Sequence, residues 1–308
     1  HDQPLHGRRT RRLELSPFIY RDLEPLVPNY DARDVFRTYG IFGGLPGHLD
    51  HLDPSKSVQE NVCQLMLEES QRLYDEARHI LDGFGKNADV HYSVLFAIAT
   101  GAHTWGEIKG DVSRSSGGLR PVIEWLQDLE LVERTVPATK DQPHKAKTSL
   151  YRITDPYLRF WYRFIKPIYS AGSAGMASPE ALWENRIEPR LDDYMGGIFE
   201  DICRDFVRDV LELPFEPVRI GRWWTKSSDD EVDIVVRGVH DEHLLVGECK
   251  WGRVTGADFA KLRERGRKVA EALDGVSRVH HLLFSGRDEA DAEVEEADEA
   301  GEVSYFGG

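Results

Sequence analysis

A chain of 308 residues, 40% hydrophobic and 10% aromatic, is long enough for two or three domains that each bury a core, and too apolar for a disordered protein. Its apolar runs are too short for a bilayer-spanning helix, and its three cysteines, Cys63, Cys203 and Cys249, have no metal spacing and exclude a disulfide framework, which points to a reducing, cytoplasmic setting with no membrane partner. The net charge of -15 argues against binding nucleic acid over the whole surface, but nine acids against one base fall in "RDEADAEVEEADEAGE", Arg287 to Glu302, so local patches decide.

Residues 1–88 open with a basic run, "GRRTRR", and no charged-then-apolar leader follows His1, so we read the chain as part of a longer one. Gly43, Gly44 and Pro46 mark a tight connection, and Leu65, Leu67, Leu73, Ala77, Ile80 and Leu81 suggest helix after Ser57. This piece carries little apolar surface, so it is expected to pack against something before His1.

Residues 89–165 begin as helix, short helix, helix and hairpin. Thr104 and Glu107 form a capping box, and Leu119, Val122, Ile123, Leu126 and Leu129 keep helical spacing. Two strand-like arms then flank a loop rich in Lys and Pro, which together give a winged helix-turn-helix. Arg114, Ser115, Ser116 and Arg120 lie on or before its recognition helix, and Lys140, His144, Lys145 and Lys147 on its wing. These residue types suit phosphate contacts with DNA; the alternative is a docking module with a solvated wing. The aromatic run Tyr157, Phe160, Trp161, Tyr162 and Phe164 is expected to pack a core, with base stacking as the other use. Residues 166–189 read as a linker.

From residue 190 the pattern becomes helix, three strands, helix, strand, acidic helix, strand, an α/β arrangement. In "EVDIVV", alternation sets Val232, Ile234 and Val236 on one face and Asp233 on the other; in "LLVGECKW", Glu248 and Lys250 share a face. Glu200 falls inside the apolar sector of "GIFEDICRDFVRDVL". Charges at such positions need partners or a purpose. Asp233 and Glu248, with Glu200, suit Mg²⁺ or Mn²⁺, which prefer oxygen ligands, and the Cys249 carbonyl could add a further one. A cation there would activate water and neutralise charge on a phosphate, and Lys250 would stabilise the transition state of phosphodiester hydrolysis.

This set resembles the PD-(D/E)XK nuclease superfamily, whose core is a helix followed by three strands, a helix and a strand. The resemblance implies catalytic roles for Asp233, Glu248 and Lys250, and metal ligation by Asp233, Glu248 and Glu200. More widely, "RLELSPF", "YGIFGGLP", the winged helix, "YRITDPYLRFWYRFI" and the "GIFED…EVDIVV…GECKW" domain look like the C-terminal half of archaeal-type P-loop ATPases fused to nuclease-like domains. The resemblance implies a lid-like first segment and, as partner, an ATPase core in the same or another chain. No G-x-x-x-x-G-K-[ST] occurs in these residues, so ATP is expected only where such a core is present. The expected fold is therefore multi-domain: a helical lid segment, a winged helix-turn-helix, and a PD-(D/E)XK restriction-endonuclease-like α/β domain over 190–308. The expected activity is Mg²⁺-dependent DNA cleavage; the alternative is a non-cleaving DNA- or partner-binding regulator controlled by ATP turnover in a preceding domain.

Overall fold

A computed structural model of the chain describes residues 15–68, 71–82, 88–112, 116–146, 148–172, 177–226, 230–239 and 242–307. The first segment carries α1 (Ala32–Phe42), α2 (Pro46–Leu49), α3 (Val58–Met66) and α4 (Arg72–Asp82). Local chemistry sets the boundaries. Asp31 caps α1 by accepting from the Asp34 amide at 2.8 Å, and α1 stops at Gly43, whose φ of 69° suits a residue without Cβ. Ser57 and Glu60 form a capping box on α3. The helical stretch expected after Ser57 is two helices, α3 ending at Met66 and α4 starting at Arg72, and Leu67, just past α3, and Leu73 on α4 are both buried.

The first segment packs on a later part of the chain. Its apolar face is covered by α11 (Glu188–Asp209), far later in the chain: Gly40 lies against Met195 and Ile198, and the Tyr194 hydroxyl donates to the Gly40 carbonyl at 2.5 Å.

Three helices follow, α5 (Ala88–Ala99), α6 (Trp105–Val112) and α7 (Ser116–Asp128). After them come two antiparallel strands, β1 (Val132–Thr135) and β2 (Leu150–Ile153). Thr104 and Glu107 close the expected capping box. Leu119, Val122, Ile123 and Leu126 are buried, while Leu129 lies beyond the helix end. Next, α8 (Pro156–Phe160), a π-helical turn (Trp161–Ile165) and α9 (Lys166–Ser170) form one rod. The five aromatics Tyr157, Phe160, Trp161, Tyr162 and Phe164 are buried, and Trp161 Nε1 donates to the Tyr74 carbonyl at 2.7 Å. That burial decides for core packing over base stacking. Within the stretch read as a linker, α10 (Pro179–Leu182) and a second π-helical turn (Trp183–Ile187) bury Leu182, Trp183 and Ile187 in the same core.

The C-terminal part is a five-stranded mixed sheet in the order β3 (Pro217–Trp224), β4 (Glu231–Gly238), β5 (His243–Lys250), β6 (Arg278–Ser285), β7 (Ser304–Gly307). The first three strands are antiparallel and the last two parallel to β5, with α12 (Gly256–Glu271) crossing between β5 and β6 and the acidic α13 (Ala292–Glu299) between β6 and β7. One face packs on α11 through Ile234, Val236, Leu245 and Cys249. The other packs on α12 through Val232, Val235, Leu244 and Val246.

The face assignment within β4 needs correction. Gly221 pairs with Val235 but Trp223 with Val232, so Asp233 and Ile234 together oppose Arg222 alone, a β-bulge. Strict alternation fails at the extra residue. Val232 therefore joins the α12 side while Ile234 and Val236 join the α11 side.

Candidate functional site

The bulge sits where the two candidate strands meet. Ile234 pairs with Gly247, and continuing that register sets Asp233 opposite Glu248. Asp233 is 5% exposed, and its Oδ2 accepts from the Cys249 amide at 2.9 Å. Glu248 is also buried. Its Oε1 lies 2.6 Å from Lys250 Nζ, as two side chains on one strand face can, and its Oε2 lies 3.3 Å from Arg265 on α12. Lys250 is 40% exposed, so its head reaches solvent while its stem lines the sheet. Glu200 comes from α11 and pairs with Arg222 at 3.0 Å and with Arg204 at 3.8 Å.

Electrostatics tie these groups together. Burial first, then the charges of Glu200 and Glu248, push Asp233 up to about 8, and the Cys249 amide and Arg222 only partly offset them. Among the described residues Asp233 makes no ion pair. Burial alone would lower Lys250, but its hydrogen bond to Glu248 and the surrounding carboxylates raise it on balance, so it stays charged.

A hard divalent cation suits this donor set. Asp233 is a carboxylate raised by burial and then by two like charges, with Arg222 only partly offsetting them, a setting in which a cation would be stabilising. Among the described residues, however, no group of three or more His, Cys, Asp or Glu side chains is already gathered around a common point. Asp233, Glu248 and Glu200 are the carboxylates that could hold such an ion, Glu248 being engaged with Lys250 and Arg265 and Glu200 with Arg222.

Behind Glu200 lies a network that the sequence reading missed. Asp201 receives Arg152 from β2, Arg159 from α8 and Arg204 from its own helix. Arg204 also donates to the Asp233 carbonyl at 3.2 Å, which links this network to the bulge. Burial and then the charges of Arg159, Arg204 and Arg222 hold Arg152 well below the usual arginine range. On a helical wheel Asp201 and Arg204 fall outside the apolar sector of this helix, and nothing local marks them as inward. Alternation in β2 sets Arg152 on the face opposite Tyr151 and Ile153, so the strand pattern does not mark it either.

The end of β5 is gripped from the other side. Arg33 on α1 donates to the carbonyls of Trp251 and Gly286 at 2.7 and 2.5 Å, and its guanidinium lies 3.8 Å from the centre of the Trp251 ring. Trp251 Nε1 bonds Asp192 on α11 at 2.8 Å.

Of the residues expected on DNA, Arg114, Ser115 and Lys147 lie outside the described residues, as does "GRRTRR". Arg120 is exposed but pairs with Glu124 one turn on, at 2.8 Å. Lys140, His144 and Lys145 are exposed on the loop between β1 and β2. That loop is fastened to the sheet: the Ala138 amide donates to the Arg222 carbonyl at 2.7 Å, Arg219 donates to the Lys140 carbonyl, and Arg237 pairs with Asp141 at 2.8 Å.

No helix among the described residues is long and apolar enough to cross a membrane. Over 266 residues the chain is 28% identical to an uncharacterized protein of Methanocaldococcus jannaschii, an alignment that covers 84% of this chain and 57% of that protein. The chain therefore spans little more than half the length of this relative. Residues 161–262, which include Glu200, Asp233, Glu248 and Lys250, match the family DUF234, described as "Archaea bacterial proteins of unknown function".

Proposed function

We propose that residues 190–308 form a PD-(D/E)XK-like, metal-dependent nuclease domain acting on DNA, and that the three helices and two strands before it form a winged helix that holds the substrate. The observation that carries this reading is the Glu248–Lys250 pair, 2.6 Å apart, beside a buried Asp233 that feels the charge of Glu200. A divalent cation, when bound, would supply Lewis-acid polarisation and charge neutralisation at a phosphate. Asp233 and Glu248 are its proposed ligands, with Glu200 able to join them. Lys250 keeps its proton and presents an ammonium to charge developing on the phosphate, while Glu248 fixes where that ammonium stands. A P-loop ATPase core in the same or another chain is the proposed partner, and ATP would act through it.

Supercoiled plasmid should be nicked with Mg²⁺ or Mn²⁺ and left intact with EDTA. By calorimetry, Mn²⁺ should bind the wild type and bind Asp233→Asn at least ~10-fold more weakly, the loss expected for one charged ligand to a hard cation. Equal Mn²⁺ binding by the two proteins would remove Asp233 from the site.

A second reading, a non-cleaving regulator, draws on the ion pairs that occupy Glu248 and Glu200 and on the fastened loop. Plasmid nicking separates the two readings, and the loop tests the DNA contact. If Lys140 and Lys145 contact DNA phosphates, replacing both with alanine should weaken DNA binding and flatten its log-log salt dependence by about 0.9 per lost contact. An unchanged slope would leave the loop only its docking role.

A further inference from the structure

Beside the carboxylate site, the cleft between β2, α8 and α11 has a volume of about 390 Å³, within the size range of ligand pockets. Arg152, Arg159, Arg163 and Arg222 line it, with Glu200 and Gly197 on its α11 wall. Charge in it is unequally matched. Arg163 is answered by Asp193 at 2.5 Å and Arg222 by Glu200 at 3.0 Å, whereas Arg152, Arg159 and Arg204 all converge on the single carboxylate of Asp201. At the rim, Glu107 is committed to the amides of His103 and Thr104, and Glu231 is mostly exposed and 3.9 Å from Arg222. Arg152 and Arg159 thus lean on one carboxylate that Arg204, itself also 3.8 Å from Glu200, reaches from behind, with the charge of Glu133 felt by both.

Hydrogen bonding tells the same story. Arg159 Nε is buried and, among the described residues, has no hydrogen-bond partner. A buried guanidinium donor left unanswered is costly, and planar guanidinium forks match tetrahedral oxyanions bidentately. The α11 wall leaves room at Gly197: a Cβ there would meet nothing within 4 Å, while the Gly197 carbonyl accepts from Arg152 at 3.4 Å.

From the converging arginines, the unanswered donor and the open wall, we infer that this cleft is a phosphate-binding site, distinct from the carboxylates and next to them. Its ligand class is a phosphate group, carried on a nucleic-acid strand or free in solution. The inference goes beyond the nuclease reading and does not require cleavage, because the arginines bind a phosphate whether or not Lys250 acts on a neighbouring one. Should both hold, the cleft would fix one phosphate of a strand while the adjacent phosphodiester lies at Glu248 and Lys250.

Calorimetry in the Lys250→Ala background, which suppresses turnover, tests it with three probes: inorganic phosphate, a 5′-phosphorylated single-stranded oligonucleotide, and the same oligonucleotide without its terminal phosphate. Gly197→Asp puts a carboxylate into the open space facing the arginines and should weaken phosphate binding at least ~10-fold, the loss of one charge-assisted contact. Gly197→Ala fills the same space with a methyl group and should bind as the parent does. Circular dichroism checks that both remain folded, as replacing glycine within a helix favours. Binding of all three probes, weakened by Gly197→Asp, supports the site and admits free phosphate; binding of the oligonucleotides alone, weakened likewise, supports it with the strand backbone as the source. No binding of any probe at millimolar concentration, or binding that Gly197→Asp leaves unchanged, would overturn it. Phosphate binding without plasmid nicking by the wild type would sink the nuclease and keep the cleft; nicking without sensitivity to Gly197→Asp would do the reverse.

Discussion

Replacing Lys250 with alanine should abolish metal-dependent strand cleavage while leaving metal and DNA binding nearly intact. The ammonium stands 2.6 Å from Glu248 and reaches solvent, so it can face a substrate phosphate without being needed to hold the fold. An interaction that strengthens as charge develops lowers the barrier more than it aids binding, so its loss appears in kcat. By analogy with other single charge-stabilising donors, the rate should fall by about 10² to 10³. Lys250→Arg should fail as well, because a planar guanidinium cannot place a compact charge at the same point. Cation binding should hold or tighten slightly, since Glu248 loses a neighbour that competes for its oxygen. Single-turnover cleavage and Mn²⁺ titration of the two variants check each part. Equal cleavage by wild type and Lys250→Ala would point to a contaminant or another site. Intact plasmid with either metal, with and without an ATPase core supplied, would leave the regulator.

The strands and helices around this site were largely legible because their signals are local. Alternation in "EVDIVV" and "LLVGECKW", the capping residues Thr104 and Glu107, and the apolar stripe of "GIFEDICRDFVRDVL" all act within a few residues. Lys250 and Glu248 on one strand face follow from a period of two, and the structure pairs them. What failed was what depends on partners distant in sequence. The bulge at Asp233 exists because Arg222 faces two residues across the ladder, and no pattern within β4 announces it. The covering of the first segment by α11 rests on Gly40 meeting Met195 and Ile198, a contact between residues more than a hundred positions apart in the sequence. The Asp201 network is harder still, because Arg152, Arg159 and Arg204 come from three elements and each alone reads as ordinary polar surface.

Removing Asp201 should destabilise the protein more than any other single surface-like substitution in α11. Asp201→Ala leaves Arg152, Arg159 and Arg204 facing one another with no shared counter-charge, and breaking a buried pair from one side typically costs about 3 to 5 kcal/mol. Asp205→Ala, four residues on, makes the comparison. Asp205 is 24% exposed, much as Asp201 is, but its partner Arg208 is 53% exposed, so water can solvate the guanidinium left behind and the loss should be about 0 to 1 kcal/mol. Urea unfolding of both variants should therefore separate them by several kcal/mol, with the shift in the midpoint rather than the slope. A loss below ~1 kcal/mol for Asp201→Ala would mean that water reaches these guanidiniums freely. The two losses also respond differently to anions. Inorganic phosphate that enters the cleft would replace the missing carboxylate, and a ligand bound only by the folded state raises stability as the logarithm of its concentration over Kd. Asp201→Ala should then recover part of its deficit in phosphate but not in chloride of equal ionic strength, while Asp205→Ala should gain no more than the wild type. Equal recovery in both salts would reduce the effect to general screening of like charges.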